Sequence, residues 1–80
     1  MYNPYGLQVY DYVQKKWINV AHIEYSSKPH YYDDVLRPEF ERLVKSAKYA
    51  SPNQKPIGYR IVHVSNGRVS PVDTWTNGKV

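Results

Sequence analysis

Between residues 38 and 50 the apolar positions recur at helical spacing, with Phe40, Leu43, Val44, Ala47 and Ala50 on one side. This is the pattern of a helix with a single buried stripe. Pro38 suits the first turn, where its missing N–H is not needed. Asp33 and Asp34 stand just upstream, placed to cap or favour the positive helix end. Ser51-Pro52 stops the helix, because the residue before proline is pushed out of the α region. The outer face carries Glu41, Arg42, Lys45, Lys48 and Tyr49. Glu41 and Lys45 stand in the favourable i, i+4 order. Cations near a helix C-terminus are the ordinary solvated face. Tyr49 departs from it, lying opposite Phe40 between Arg42 and Lys45. An outward aromatic between two cations has the composition of a contact site. The alternative is that Tyr49 folds over Pro52 and closes the helix end.

On either side of this helix the pattern alternates. Residues 6–13 (GLQVYDYV) place Leu7 and Val9 on one face and Tyr10 and Tyr12 on the other, the period of a strand. Gln14, Lys15 and Lys16 supply a polar hairpin loop. Residues 17–25 (WINVAHIEY) are rich in β-formers and predict a second strand. Trp17, Ala21, Ile23 and Tyr25 share one of its faces; Ile18, Val20, His22 and Glu24 share the other. Residues 26–34 (SSKPHYYDD) read as a connecting loop, and 51–58 (SPNQKPIG) as a proline-punctuated return. A third strand follows at 59–64 (YRIVHV). Asn66-Gly67 is a two-residue type I′ turn that sets the register of a fourth strand, 68–74 (RVSPVDT). Val64 then pairs with Val69, Val62 with Pro71 and Arg60 with Asp73 on one face, and Ile61 with Val72 on the other. Pro71 cannot donate to a ladder, which marks an edge strand or a bulge. Residues 1–5 predict a frayed start, and 75–80 a tail loose after Trp75. Hairpin, helix, hairpin predicts an α+β fold of two layers. One helix packs on a four-stranded antiparallel sheet (ββαββ), leaving the other face partly open.

Composition narrows the function. Eighty residues make a single domain, 1–80, with a thin core. The absence of cysteine excludes disulfides and thiolate metal sites. No apolar run approaches the ~18 residues of a membrane span and no signal-peptide pattern is present, so a soluble, cytoplasmic protein without a membrane partner is expected. A net charge of +4 favours acidic partners and excludes an acidic mimic of DNA. Nine tyrosines and two tryptophans stand against one phenylalanine. Tyrosine is favoured where one end of the ring meets water, at a core rim or in an interface.

Catalytic chemistry is not framed. His22, His30 and His63 are dispersed, and His30 with Asp33 and Asp34 matches no established metal spacing. There is no nucleophile elbow, phosphate loop or dinucleotide fingerprint. No enzymatic activity, metal or cofactor is expected. Nucleic acid is a competing partner. Tyr10, Tyr12 and Tyr25 with Trp17 offer stacking platforms, and Lys15, Lys16 and Lys28 offer phosphate contacts, although no RNP-type motif is present.

Strand, strand, amphipathic helix and a strand reading YRIVHV (59–64) resembles the small early proteins of bacteriophages, most of all the T7-type inhibitors of bacterial RNA polymerase. The likeness covers residues 17–72 in the order of elements. Anti-CRISPR proteins are similar in size and style. The resemblance implies a protein that docks on a host complex, such as RNA polymerase or a CRISPR effector, in the host cytoplasm and without chemistry of its own. In the polymerase inhibitors, arginines on the strand after the helix grip the target. Here those positions read His63 and Ser65, with Arg60 displaced. Residues 58–64 (GYRIVHV) are also similar to a strand of RelE-type ribosome-dependent ribonuclease toxins, which implies Arg60 and His63 in a ribonuclease site. Those chains begin with helices, and this one begins with strands.

The expected function is a small basic non-enzymatic binding protein whose partner is a host protein or ribonucleoprotein complex. The candidate contacts are Tyr49, Arg42 and Lys45 of the helix, or Tyr10, Tyr12 and Arg60 of the sheet. Single-stranded RNA or DNA binding by the sheet tyrosines is the alternative. An exposed edge strand also admits a homodimer.

Overall fold

A computed structural model describes residues 3–49 and 55–80. Strands β1 (Tyr5–Asp11) and β2 (Lys16–Asn19) form a hairpin, helix α1 (Arg37–Lys48) follows, and β3 (Gly58–Ser65) with β4 (Arg68–Thr76) forms a second hairpin. The sheet order is β2-β1-β3-β4, antiparallel throughout. β2 and β3 therefore flank β1 and run the same way, so the chain between them crosses over β1 and carries α1 to one face. This is the expected ββαββ fold of two layers.

The core lies between α1 and the sheet. Leu7, Val20, Leu36, Phe40, Val44 and Ile61 form its buried cluster, with Tyr5, Val9, Ile23, Tyr32, Leu43 and Trp75 packed around it. Phe40, Val44 and Ala47 are the buried residues of α1, as the stripe predicts; Ala50 lies outside the described residues. On β1 and β3 the odd-numbered residues face the helix, as alternation requires.

The helical path begins earlier than expected. A π-helical turn, Tyr32–Leu36, runs straight into α1 over residues read as loop. In a regular α ladder the ring of Pro38 would meet the carbonyl four residues back, that of Asp34. Widening the turn before it relieves that contact. Asp33 and Asp34 lie in the first turn, near the positive helix end, and no side-chain cap is formed there. Glu41 pairs with Arg37 at 2.9 Å rather than with Lys45. Arg37 also meets Asp73 at 3.2 Å, which anchors its guanidinium between the two acids.

The second strand is shorter than its β-rich sequence suggests. Val20 N–H still reaches the Leu7 carbonyl at 3.1 Å, but the next bridge joins Tyr5 to Ser26. Residues 21–25 leave the sheet edge as an excursion. Ile23 packs against the core, while Tyr25 folds over the opposite face onto Gly6, so the two do not share a face. A Cβ at Gly6 would stand 2.3 Å from the Tyr25 ring, so only glycine admits it. β1 also ends early, at Asp11, whose carboxylate accepts the Val13 N–H at 2.9 Å and starts the turn.

The second hairpin corrects the register. Asn66 and Gly67 have φ of 53° and 75°, as a type I′ turn needs, and Val64 pairs with Val69 and Val62 with Pro71. Beyond Pro71 a bulge intervenes at Val72. Asp73 then pairs with Ile61 and Thr74 with Arg60, so Arg60 does not face Asp73. Proline offers no ladder donor, and an extra residue absorbs the interruption. β4 is an outer strand, and this bulge breaks its pairing edge.

Pro4 and the segment from Trp75 to Asn77 are held more firmly than expected; Met1 and Tyr2 lie outside the described residues. The Pro4 carbonyl accepts the Val64 N–H at 2.9 Å. Trp75 packs on the core, and Asn77 brackets the approach to β3, its Nδ2 donating to the Lys55 carbonyl at 2.9 Å and its N–H to the Ile57 carbonyl at 3.1 Å.

Candidate functional site

The face of the sheet away from α1 carries Gly6, Gln8 and Tyr10 of β1, Trp17 and Asn19 of β2, Gly58 and Arg60 of β3, and Thr74 and Thr76 of β4. Its middle row is polar across all four strands: Asn19, Gln8, Arg60 and Thr74 stand side by side. Arg60 Nε donates to Gln8 Oε1 at 2.8 Å. Gln8 Nε2 donates to Asn19 Oδ1 and to the Tyr25 hydroxyl, each at 3.3 Å. Tyr25 Oη donates to Asn19 Oδ1 at 2.7 Å. The chain of bonds fixes the Gln8 amide and, through it, the plane of the guanidinium.

The next row is aromatic. Trp17 and Tyr10 meet edge to face, with centroids 5.5 Å apart. The Arg60 guanidinium lies 4.5 Å from the Trp17 ring centroid, a cation–π contact. The Trp17 ring reaches as far as Gly58, where a Cβ would stand 2.8 Å from it. Gly6 and Gly58 thus leave room for Tyr25 and Trp17 to lie across the strands, with Arg60 held between.

Burial lowers the pKa of Arg60 below its ordinary value, although the charge persists. The residue is half-buried, and among the described residues it has no salt bridge. The bulge at Val72 explains this. It turns Asp73, the one acid of β4, to the helix side, where Tyr32 Oη donates to it and Arg37 pairs with it. The strand residues of the open face therefore include one cation and no acid.

The expected site residues separate into three places. Tyr10 and Arg60 share the open face. Tyr12 does not join them. It belongs to the turn after β1, where Lys55 Nζ donates to its hydroxyl at 2.7 Å and lies 4.9 Å from its ring centroid. That turn borders a groove of ≈ 400 Å³ that Tyr12 and Tyr10 both line, together with Val9, Ile18, Pro56 and Ile57. At the C-terminal cap of α1, Tyr49 is 82% exposed and shares a groove of ≈ 530 Å³ with Lys45, Lys48 and Glu41. Arg42 is turned away from it and donates to Glu39. His63 stacks on Tyr5 at 4.5 Å on the helix side, opposite Arg60, so the pair implied by the toxin resemblance does not converge.

The sequence reading passed over Gln8, Asn19 and Thr74. Their signal was a polar residue between Leu7 and Val9 in an alternating strand, with a glycine two positions before it. Among the described residues, no three His, Asp or Glu side chains gather as a metal would require, and no helix is long and apolar enough to cross a membrane. Comparison with known protein families, curated proteins and solved structures gives no match.

Proposed function

We propose that the protein is a small non-enzymatic binding module that docks on a macromolecular complex through the open face of its sheet. The observation that carries this is Arg60: half-buried, held by Gln8 and Trp17, and left without a carboxylate by the bulge in β4. A cation fixed in place with its charge unanswered is prepared for a partner, because little ordering cost remains on binding. Tyr10 and Trp17 beside it supply the aromatic surface typical of interface hot spots. On this reading the partner is a large host machine in the cytoplasm, such as RNA polymerase or a CRISPR effector, as in the phage inhibitors that the order of elements resembles. A second reading places the contact on α1, where Tyr49 is exposed beside Lys45 and Lys48.

A tagged pull-down from bacterial lysate, with and without nuclease, separates the two. Wild type and Tyr49→Ala retain the partner and Arg60→Ala loses it if the sheet face is the contact. Retention by Arg60→Ala with loss by Tyr49→Ala moves the contact to the helix.

A further inference from the structure

We infer that the open face takes single-stranded nucleic acid, with a phosphate on the outer edge of Arg60 and an unpaired base against Tyr10 and Trp17. This rests on the reading of that face as the contact surface and names its occupant. Three features point to it.

The first is charge. The strand residues of the face offer one cation and no acid, and the chain as a whole carries +4. That field suits a polyanion.

The second is the form of the cation. Nε of Arg60 is engaged by Gln8 and one side of the guanidinium by Trp17. Among the described residues its two terminal nitrogens have no hydrogen-bond partner. They present a planar fork, the geometry that binds phosphate oxygens in pairs. Thr74 is exposed directly across the strand pair and adds a hydroxyl donor to the same edge.

The third is the aromatic pair. Tyr10 and Trp17 remain half-exposed after packing on each other. Successive same-face positions along a strand lie about 6.8 Å apart, so the ring row and the arginine row fall within about one nucleotide of each other. Stacking requires a base that is not already paired, which selects single strands over duplex.

The test is fluorescence anisotropy with a labelled thymidine oligonucleotide of about 12 nucleotides, within the usual site sizes of such folds. It compares wild type, Arg60→Ala, Arg60→Lys, Tyr10→Ala and Tyr49→Ala, each with its unfolding midpoint measured. Wild type is expected to bind the single strand at least tenfold more tightly than the matching duplex. Arg60→Ala and Tyr10→Ala each weaken binding about tenfold, Arg60→Lys restores part of the loss, and Tyr49→Ala changes nothing. Arg60→Ala also makes the salt dependence shallower by about 0.7 in log–log slope, one phosphate contact on a single strand, which a purely structural role would leave unmoved. Equal binding by wild type and Arg60→Ala overturns the inference. So does absence of binding at low salt. In that case a lysate partner that Arg60→Ala releases would leave the docking face standing with a protein as its occupant, and no such partner would remove both.

Discussion

At the scale of single residues, the open face is decided by two glycines and one glutamine. Gly6 and Gly58 leave the gaps that Tyr25 and Trp17 fill, and Gln8 ties Arg60 to Asn19 and Tyr25. Gly6→Ala should destabilise the fold by about 1–3 kcal/mol through overpacking. Most of that loss should vanish in a Tyr25→Ala background, because the clash is with that ring. Chemical denaturation of the four proteins of the cycle measures it, and additive losses would contradict the packing described. Tyr32 gives a pH signature. Burial, then its bond to Asp73, raises its pKa, and burial raises that of Tyr59. A group whose folded pKa is raised contributes stability that is complete below its unfolded value of about 10 and is lost as pH climbs through the folded value. Tyr32→Phe should therefore be less stable at neutral pH, from the lost hydrogen bond, yet show a shallower decline above pH ~10. An unchanged alkaline slope would rule Tyr32 out as its source. Little of this was legible beforehand: glycine in a strand announces a close approach without saying which ring arrives.

At the scale of elements, the bulge in β4 carries the most consequence. The turn chemistry of Asn66-Gly67 was readable and so was the register as far as Pro71. The sequence also marked Pro71 as an edge or bulge residue, but a uniform register beyond it paired Arg60 with Asp73. One extra residue, Val72, sends that acid to Tyr32 and Arg37 instead. A double-mutant cycle should show coupling of about 1 kcal/mol between Tyr32 and Asp73, and none between Arg60 and Asp73. Coupling of Arg60 with Asp73 would restore the uniform register and cancel the unpaired charge. The helix stripe was legible because Phe40, Val44 and Ala47 repeat at a period that strands do not share. Pro38 does lie in the first turn of α1, as its fixed φ suggests, but the π turn Tyr32–Leu36 that leads into it was not legible, because those residues read as a connecting loop. The second strand was overread for a different reason. Residues 17–25 have strand propensity throughout, yet packing sends Ile23 to the core and Tyr25 across Gly6, and tertiary contacts outweigh propensity.

At the scale of the whole molecule, one face of the sheet packs on α1 and the core, and the other has no helix over it among the described residues. Among the described residues the central core cluster holds six buried side chains, with Tyr5, Tyr31, Tyr32 and Tyr59 packed around its rim. This explains the excess of tyrosine over phenylalanine better than core building does. The two-layer plan was readable from the order of elements, whereas the convergence of Gln8, Arg60, Trp17 and Tyr10 depended on pairings that only the folded sheet supplies. The most direct test of the open face as the working surface is an amide NMR titration of the labelled protein with the single-stranded thymidine oligonucleotide. Shifts confined to Gln8, Tyr10, Trp17, Asn19, Arg60 and Thr74 are the expected result. Shifts clustered instead on Lys45, Lys48 and Tyr49 of α1, with the sheet face silent, would contradict it.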